Sequence, residues 1–169
     1  MNSQRPFSAD SYTLGTRAHA ICLRTVNHIE AADMGRAFAA MEPWSRYPFP
    51  PEALTAYFAT SEPHAPRFVI EAGGDVAGAI GIRTELLRGP YLQFLGLLPA
   101  FQGRGIGVAI LDWIEVEAGP STRNFWVCAS VSNEAAIRFY ERHGFQRVAV
   151  LDGLVQDGFD ELLLRKRLK

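Results

Sequence analysis

Between an apolar run, Tyr91 to Leu97, and an amphipathic one beginning at Ile106 stands Gln102-Gly103-Arg104-Gly105-Ile106-Gly107, with three glycines in five residues. Glycines leave backbone N–H groups free to converge, and a helix starting behind them adds unpaired amides and the positive end of its dipole. The turn is therefore built to hold a phosphate, with Arg104 as its mobile cation. Two kinds of phosphate loop are excluded by residue type. A nucleoside-triphosphatase loop needs Lys followed by Ser or Thr, whereas Val108 and Ala109 follow the last glycine here. A dinucleotide fold needs a third glycine where Val108 stands and an acid at the end of the next strand, which reads Cys128-Ala129-Ser130.

The elements that must position this turn follow from hydrophobic periodicity. Ala20 to Val26 reads as a strand, Glu30 to Met41 as a helix with Ala31, Met34, Phe38 and Met41 at helical spacing, and Glu52 to Ala59 as a short helix. Between the helices, Glu42 to Pro51 carries four prolines and three aromatics, which predicts a rigid apolar loop. Arg67 to Ala72 and Val76 to Thr84 form a hairpin about Gly73-Gly74-Asp75, and Tyr91 to Leu97 completes a three-stranded meander. That meander, in place of a leading βαβ unit, also argues against the dinucleotide fold. The helix behind the glycine turn sets Ile106, Ile110, Trp113 and Ile114 on one face.

Phe125 to Ser130 is the next strand, and Ser132 is the expected N-cap of a helix from Asn133 to His143. Gly144 ends that helix in the left-handed conformation, with Phe145 folding back on Tyr140 as in a Schellman motif. Phe145 to Leu151 and Phe159 to Arg167 read as closing strands.

The chain has 169 residues, 48% of them hydrophobic, which suits a single domain over 1–169 with residues 1–18 flexible or peripheral. A formal net charge of −1 lacks the broad basic surface of a nucleic-acid binder. Cys22 and Cys128 lie far apart inside apolar runs, with no metal-ligand spacing, and read as buried thiols; no metal is expected. Without an apolar leader or a membrane-length run, no membrane partner is expected and cytoplasmic residence is the default expectation.

The glycine turn resembles the Gln/Arg-x-x-Gly-x-Gly/Ala pyrophosphate loop of the GNAT family of acetyl-coenzyme A-dependent N-acyltransferases. Asn133-Glu134-Ala135-Ala136-Ile137-Arg138-Phe139-Tyr140-Glu141-Arg142-His143-Gly144-Phe145 resembles that family's second coenzyme motif, Asn-x-x-Ala-x-x-x-Tyr-x-x-x-Gly-Phe, in the expected order. The resemblance implies an α/β (α+β) GNAT fold: a mixed, mostly antiparallel sheet of about six or seven strands, with parallel strands 4 and 5 splayed apart, flanked by about four helices. It implies acetyl-CoA as cosubstrate. The pantetheine arm would meet Leu95, Gly96 and Leu97. The diphosphate would meet Gln102, Gly103, Arg104, Gly105, Ile106, Gly107 and Val108, and Asn133 would bind the pantetheine amide region. Gly96 fits a bulge or a close backbone approach, either of which frees the Leu97 N–H to polarise the thioester carbonyl. Tyr140 is the implied acid for the departing thiolate, and Arg138 and Arg142 stand where they could reach the coenzyme's nucleotide phosphate or form a solvated helix face.

The implied reaction is direct attack by a primary amine, from a small molecule or a protein, in a ternary complex. A homodimer is a family-level expectation. Family members that acetylate protein amines often use a Glu as the base, on the strand before or after the glycine turn, yet Tyr91 to Leu97 and Phe125 to Ser130 contain no carboxylate. Glu85 is the leading substitute base, with Glu42, His64 or a water relay behind it. Trp44, Tyr47 and Phe49 are expected to wall the acceptor pocket, or else to form a satellite apolar cluster under the loop. The missing strand carboxylate keeps open a non-catalytic acyl-CoA sensor, and other acyl groups remain open as well.

Overall fold

A computed structural model describes residues 5–15, 20–60, 62–120 and 122–169. Among these residues the strands are β1 (Ser11–Gly15), β2 (Ala20–Thr25), β3 (Arg67–Ala72), β4 (Asp75–Leu86), β5 (Gly89–Leu97), β6 (Asn124–Ser130), β7 (Gln146–Leu151) and β8 (Glu161–Arg167). The α-helices are α1 (His28–Ala39), α2 (Glu52–Ala59), α3 (Ile106–Ala118) and α4 (Glu134–Arg142). One sheet runs in the order β1-β2-β3-β4-β5-β6-β8-β7. Every adjacent pair is antiparallel except β5 with β6. Among the described residues no helix is long and apolar enough to cross a membrane.

The eighth strand, β1, comes from the N-terminal segment expected to be peripheral. Residues 5–15 are anchored instead: Phe7 is buried edge-on against Trp113 at 5.4 Å, and its N–H donates to Glu117 at 2.9 Å. The Tyr12 hydroxyl donates to the same carboxylate at 3.0 Å, and burial pushes that phenol up to about 12. For residues 1–4 and 16–18 the same expectation falls outside the described residues.

The sheet separates two apolar layers. On one face Ile80, Ile82 and Leu92 pack beneath Ile106, Ile110 and Ile114 of α3 and beneath Tyr140 of α4. On the other face Ala79 and Phe94 meet Ala31, Met34 and Phe38 of α1 and Phe58 of α2. The α1 helix starts at Asn27, whose side chain accepts from Ile29 and Glu30 N–H while Glu30 reaches back to the Asn27 N–H, a complete capping box. At α4 the cap is Asn133, accepting from Ala136 N–H, so the expected Ser132 cap is corrected by one residue. The other end is a Schellman motif: Gly144 has φ +87, its N–H bonds Glu141 O, and Phe145 N–H bonds Tyr140 O.

The β4–β5 turn carries strain. Leu87 and Arg88 have φ of 47 and 65 between the paired residues Leu86 and Gly89, a conformation that ordinarily favours Asn-Gly. Trp126 Nε1 and Asn124 Nδ2 donate to the carbonyls of Leu87 and Arg88 and pin the turn to β6. Relieving a left-handed side-chain clash is worth about 1 kcal/mol per residue. The double change Leu87→Asn, Arg88→Gly is expected to raise the thermal midpoint by a few degrees; an unchanged or lowered midpoint in a melting experiment would count against the strain.

Candidate active site

The parallel strands β5 and β6 pair only at Tyr91 with Trp126 and Leu92 with Val127, then separate. Opposite β4, β5 carries a register shift between Gly81 and Ile82, which leaves Gln93 as the extra residue. The bulge expected near Gly96 thus lies three residues earlier. Gly96 serves the alternative role, a close approach: a Cβ there would stand 2.4 Å from Cε1 of Phe38.

Ladder alternation sets what β5 offers to the gap. Leu98 N–H donates to Ala77 O at 2.8 Å, and the register Gly78 to Leu97, Ala79 to Gly96 continues that pair. Alternate residues of an antiparallel strand bond their neighbour, so Gly96 bonds β4 while Leu95 and Leu97 turn their N–H and C=O toward the opening. The Leu97 carbonyl accepts from Gln102 Nε2 at 2.9 Å. Its N–H is left facing the cleft.

The glycine turn follows a short 3-10 segment, Pro99–Phe101. Gly103 and Gly105 have φ of +72 and +78, and Gly105 caps α3 without a side-chain bond. The first α-helical bond there is Ala109 N–H to Gly105 O. The amides of Ile106, Gly107 and Val108 precede it and lack intrahelical partners. A cavity of about 580 Å³ joins these parts, bordered by Leu95, Leu97, the loop at Gln102, Gly103 and Gly105, and α4 through Phe139 and Tyr140. Tyr140 is 7% exposed, and burial raises its phenol well above the ordinary value.

Other expected residues sit differently. Arg104 is exposed and lies over the Phe101 ring at 5.3 Å, outside the cavity wall. Asn133 spends its side-chain oxygen on the α4 cap. Arg142 borders the cavity, whereas Arg138 is exposed and paired with Glu134 at 2.8 Å. Glu42 lines the cavity rim, exposed and paired with Arg46 at 2.7 Å.

Glu85, the expected base, lies away from the cleft. The pair Leu86 with Gly89 places Glu85 at the start of β5. Seven residues separate that level from Leu97, about 23 Å at strand rise. Glu85 and His64 share a different cavity, with Arg5 and Arg88.

Across the sheet, Trp44, Tyr47 and Phe49 do come together, around a cavity of about 350 Å³ that also takes in Tyr57, Tyr91, Cys128, Leu154 and Glu161. Trp44 borders both cavities and stacks on Phe94 at 4.5 Å. Tyr57 is fixed beneath the guanidinium of Arg67 at 4.3 Å and donates to Gln93 Oε1 at 3.3 Å. Both thiols expected to be buried are partly exposed, and Cys128 faces this cavity.

Sequence reasoning missed Glu161. It is 7% exposed, opens β8 opposite Ser130, and accepts a hydrogen bond from the Tyr47 hydroxyl. Burial pushes its carboxyl above the usual carboxylate range, with the Tyr47 bond opposing that rise. No local sequence signal marks it, because β8 comes to lie beside β6 only through the strand order.

A strand gap exposing backbone donors, followed by a glycine-rich helix start, is an arrangement suited to an extended phosphorylated carrier laid along the sheet. The sequence pattern of the Acetyltransferase (GNAT) family matches residues 26–145, and the chain belongs to that family. The N-alpha-acetyltransferase RimI of Mycobacterium tuberculosis (strain ATCC 25618 / H37Rv) is 32% identical over 108 residues, covering 61% of this chain and 65% of that protein, just under two thirds of its length. Among solved structures, an uncharacterized protein from Bacillus halodurans matches with TM-score 0.77 and 14% identity, covering 97% of this chain and 92% of that one. RimL, a ribosomal L7/L12 alpha-N-protein acetyltransferase solved in complex with coenzyme A, matches with TM-score 0.69 and 16% identity over 93% and 98% of the two chains. These structural likenesses establish the fold.

Proposed function

We propose that the protein transfers an acetyl group from acetyl-CoA to a primary amine, with both molecules bound together. The observation that carries this reading is the β5–β6 gap, where Leu97 directs an N–H into a cavity that Tyr140 also borders. Family membership and the likeness to RimI support amide formation as the chemistry.

The residues fit acetyl-CoA. The outward backbone of Leu95 and Leu97 suits the amide-bearing pantetheine arm, and the free amides of Ile106, Gly107 and Val108 suit the diphosphate. Acetyl-CoA, when bound, supplies the acetyl thioester. Leu97 N–H then donates to the carbonyl oxygen, most strongly as negative charge develops there. Tyr140, kept neutral by burial, delivers its proton to sulfur. Gln102 bonds the Leu97 carbonyl and so ties the end of β5 to the glycine turn.

The test is incubation of the isolated protein with acetyl-CoA and a panel of amines, scored by product mass. An acetylated amine is the expected result; bound acetyl-CoA with no amine-dependent thiol release would leave the sensor reading instead. A second measurement addresses the loop. Gly105→Ala forces a side chain into φ +78, a cost of about 1–2 kcal/mol in the left-handed region. The helix start should shift to relieve it, and calorimetry should show coenzyme A binding about tenfold weaker. Unchanged affinity would remove these amides from the diphosphate site.

A further inference from the structure

Glu161 stands in the molecule without a structural partner that explains its charge. No cation pairs with it among the described residues; its bonded neighbour is a phenol, and apart from Gln93 and Cys128 the wall around it is aromatic and aliphatic. A carboxylate kept buried without a counter-ion is costly, and a cationic ligand would offset that cost. Its level along the sheet is informative. Extending the β5–β6 register from Tyr91 with Trp126 would set Leu95 opposite Ser130, the residue that Glu161 faces from β8. Glu161 therefore lies across β6 from the stretch of β5 that opens the cleft, on the face away from α4.

We infer that Glu161 receives the ammonium of the acceptor and takes its proton, directly or across one water, and that this acceptor is a small molecule with one amine on a flat apolar body. The inference rests on the transfer reading above and deepens it. Tyr47 stacks on Phe49 with ring centroids 5.7 Å apart, and Trp44 and Tyr91 complete an aromatic enclosure suited to a planar group. Glu161 is the single carboxylate among the described residues lining that cavity, so a second ammonium there would find no counter-charge. A volume of about 350 Å³ sits at the small end of ligand pockets.

The step balances. The ammonium proton passes to a Glu161 oxygen and then to water. The amine lone pair forms the C–N bond, the C–S bond breaks with its electrons on sulfur, and the Tyr140 phenol proton goes to that sulfur. The second proton shed by nitrogen restores the phenol.

Titration follows from what faces Glu161: Tyr47 from the proline-rich loop, Tyr91 from β5 and Cys128 from β6. Burial raises both phenols and the thiol, leaving the carboxyl as the group that changes charge on acidification. As pH falls through its raised value the base is protonated and turnover declines.

The test compares 2-phenylethylamine, spermidine, kanamycin and a short peptide with a free N-terminus, in wild type and Glu161→Gln. The wild type should favour 2-phenylethylamine by about 100-fold in kcat/KM. Glu161→Gln should lower its turnover about 100-fold and erase the acidic limb carried by the carboxyl. Calorimetry should show amine binding about tenfold weaker in the variant, with coenzyme A binding unchanged. Phe49→Lys, at a half-exposed position, gives an independent check: KM for 2-phenylethylamine should rise about tenfold through charge repulsion while coenzyme A binding stays the same. Preference for spermidine, kanamycin or the peptide, or an unaltered Glu161→Gln profile, overturns this inference and leaves transfer standing. Amine binding that depends on Glu161, without acetyl transfer to any amine, overturns the transfer reading instead.

Discussion

Tyr140→Phe is expected to lower kcat by about 100- to 10,000-fold, the range for loss of a positioned general acid, while leaving coenzyme A affinity unchanged. The ring is 7% exposed and packs edge-on against Phe139 and Phe145, with centroids 5.3 and 5.5 Å away. Phenylalanine preserves those contacts and removes only the hydroxyl. Burial raises the phenol far enough to keep it protonated at working pH, so an alkaline fall in rate should not trace to Tyr140. Equal losses in kcat and kcat/KM, with unchanged binding by calorimetry, are the signature of an interaction made in the transition state. Full turnover under conditions where chemistry limits the rate would remove Tyr140 from the reaction.

Gly78→Ala is expected to cost about 3 kcal/mol of stability, as overpacking against rigid backbone does. The added Cβ would stand 2.1 Å from the Gly96 carbonyl oxygen and 3.1 Å from Leu97 Cα. Backbone in a ladder cannot swing aside as a side-chain tip can. The thermal midpoint should fall by roughly 6–12 °C for a chain of this size. Because the clash falls on the Leu97 peptide, turnover at low temperature should decline as well. A midpoint within about 2 °C of wild type would show that β4 and β5 can part without penalty.

Much of this architecture was legible because strong local signals agreed. The glycine turn, the Schellman end at Gly144 and the Ile106, Ile110, Ile114 face each announce themselves within a few residues. β1 did not: of Ser11–Gly15 only Leu14 is buried, so its apolar period is too weak to mark a strand at the sheet edge. The base was sought beside the glycine turn in sequence and on the two strands flanking it. The proposed base, Glu161, comes from elsewhere in the strand order. Because β8 inserts between β6 and β7 and runs antiparallel to β6, its first residue arrives at the open end of the cleft. No periodicity reveals that insertion. Glu85 was misplaced for a related reason: β4 continues to Leu86, which carries the carboxylate toward the far end of the meander.

The two cavities are built from different parts of the chain. The coenzyme side draws chiefly on the continuous middle, from Leu95 through His143, while the aromatic side takes its walls largely from Trp44 to Tyr57 and from Leu154 to Glu161, with Trp44 as the common post. On the transfer reading, the acyl-handling residues and most of the amine-facing wall lie in separable stretches, with Glu161 as the exception. With Glu161 kept, drift in the two outer stretches would re-cut the lock for a new amine and leave the proposed acyl-handling residues between Leu95 and His143 as they are.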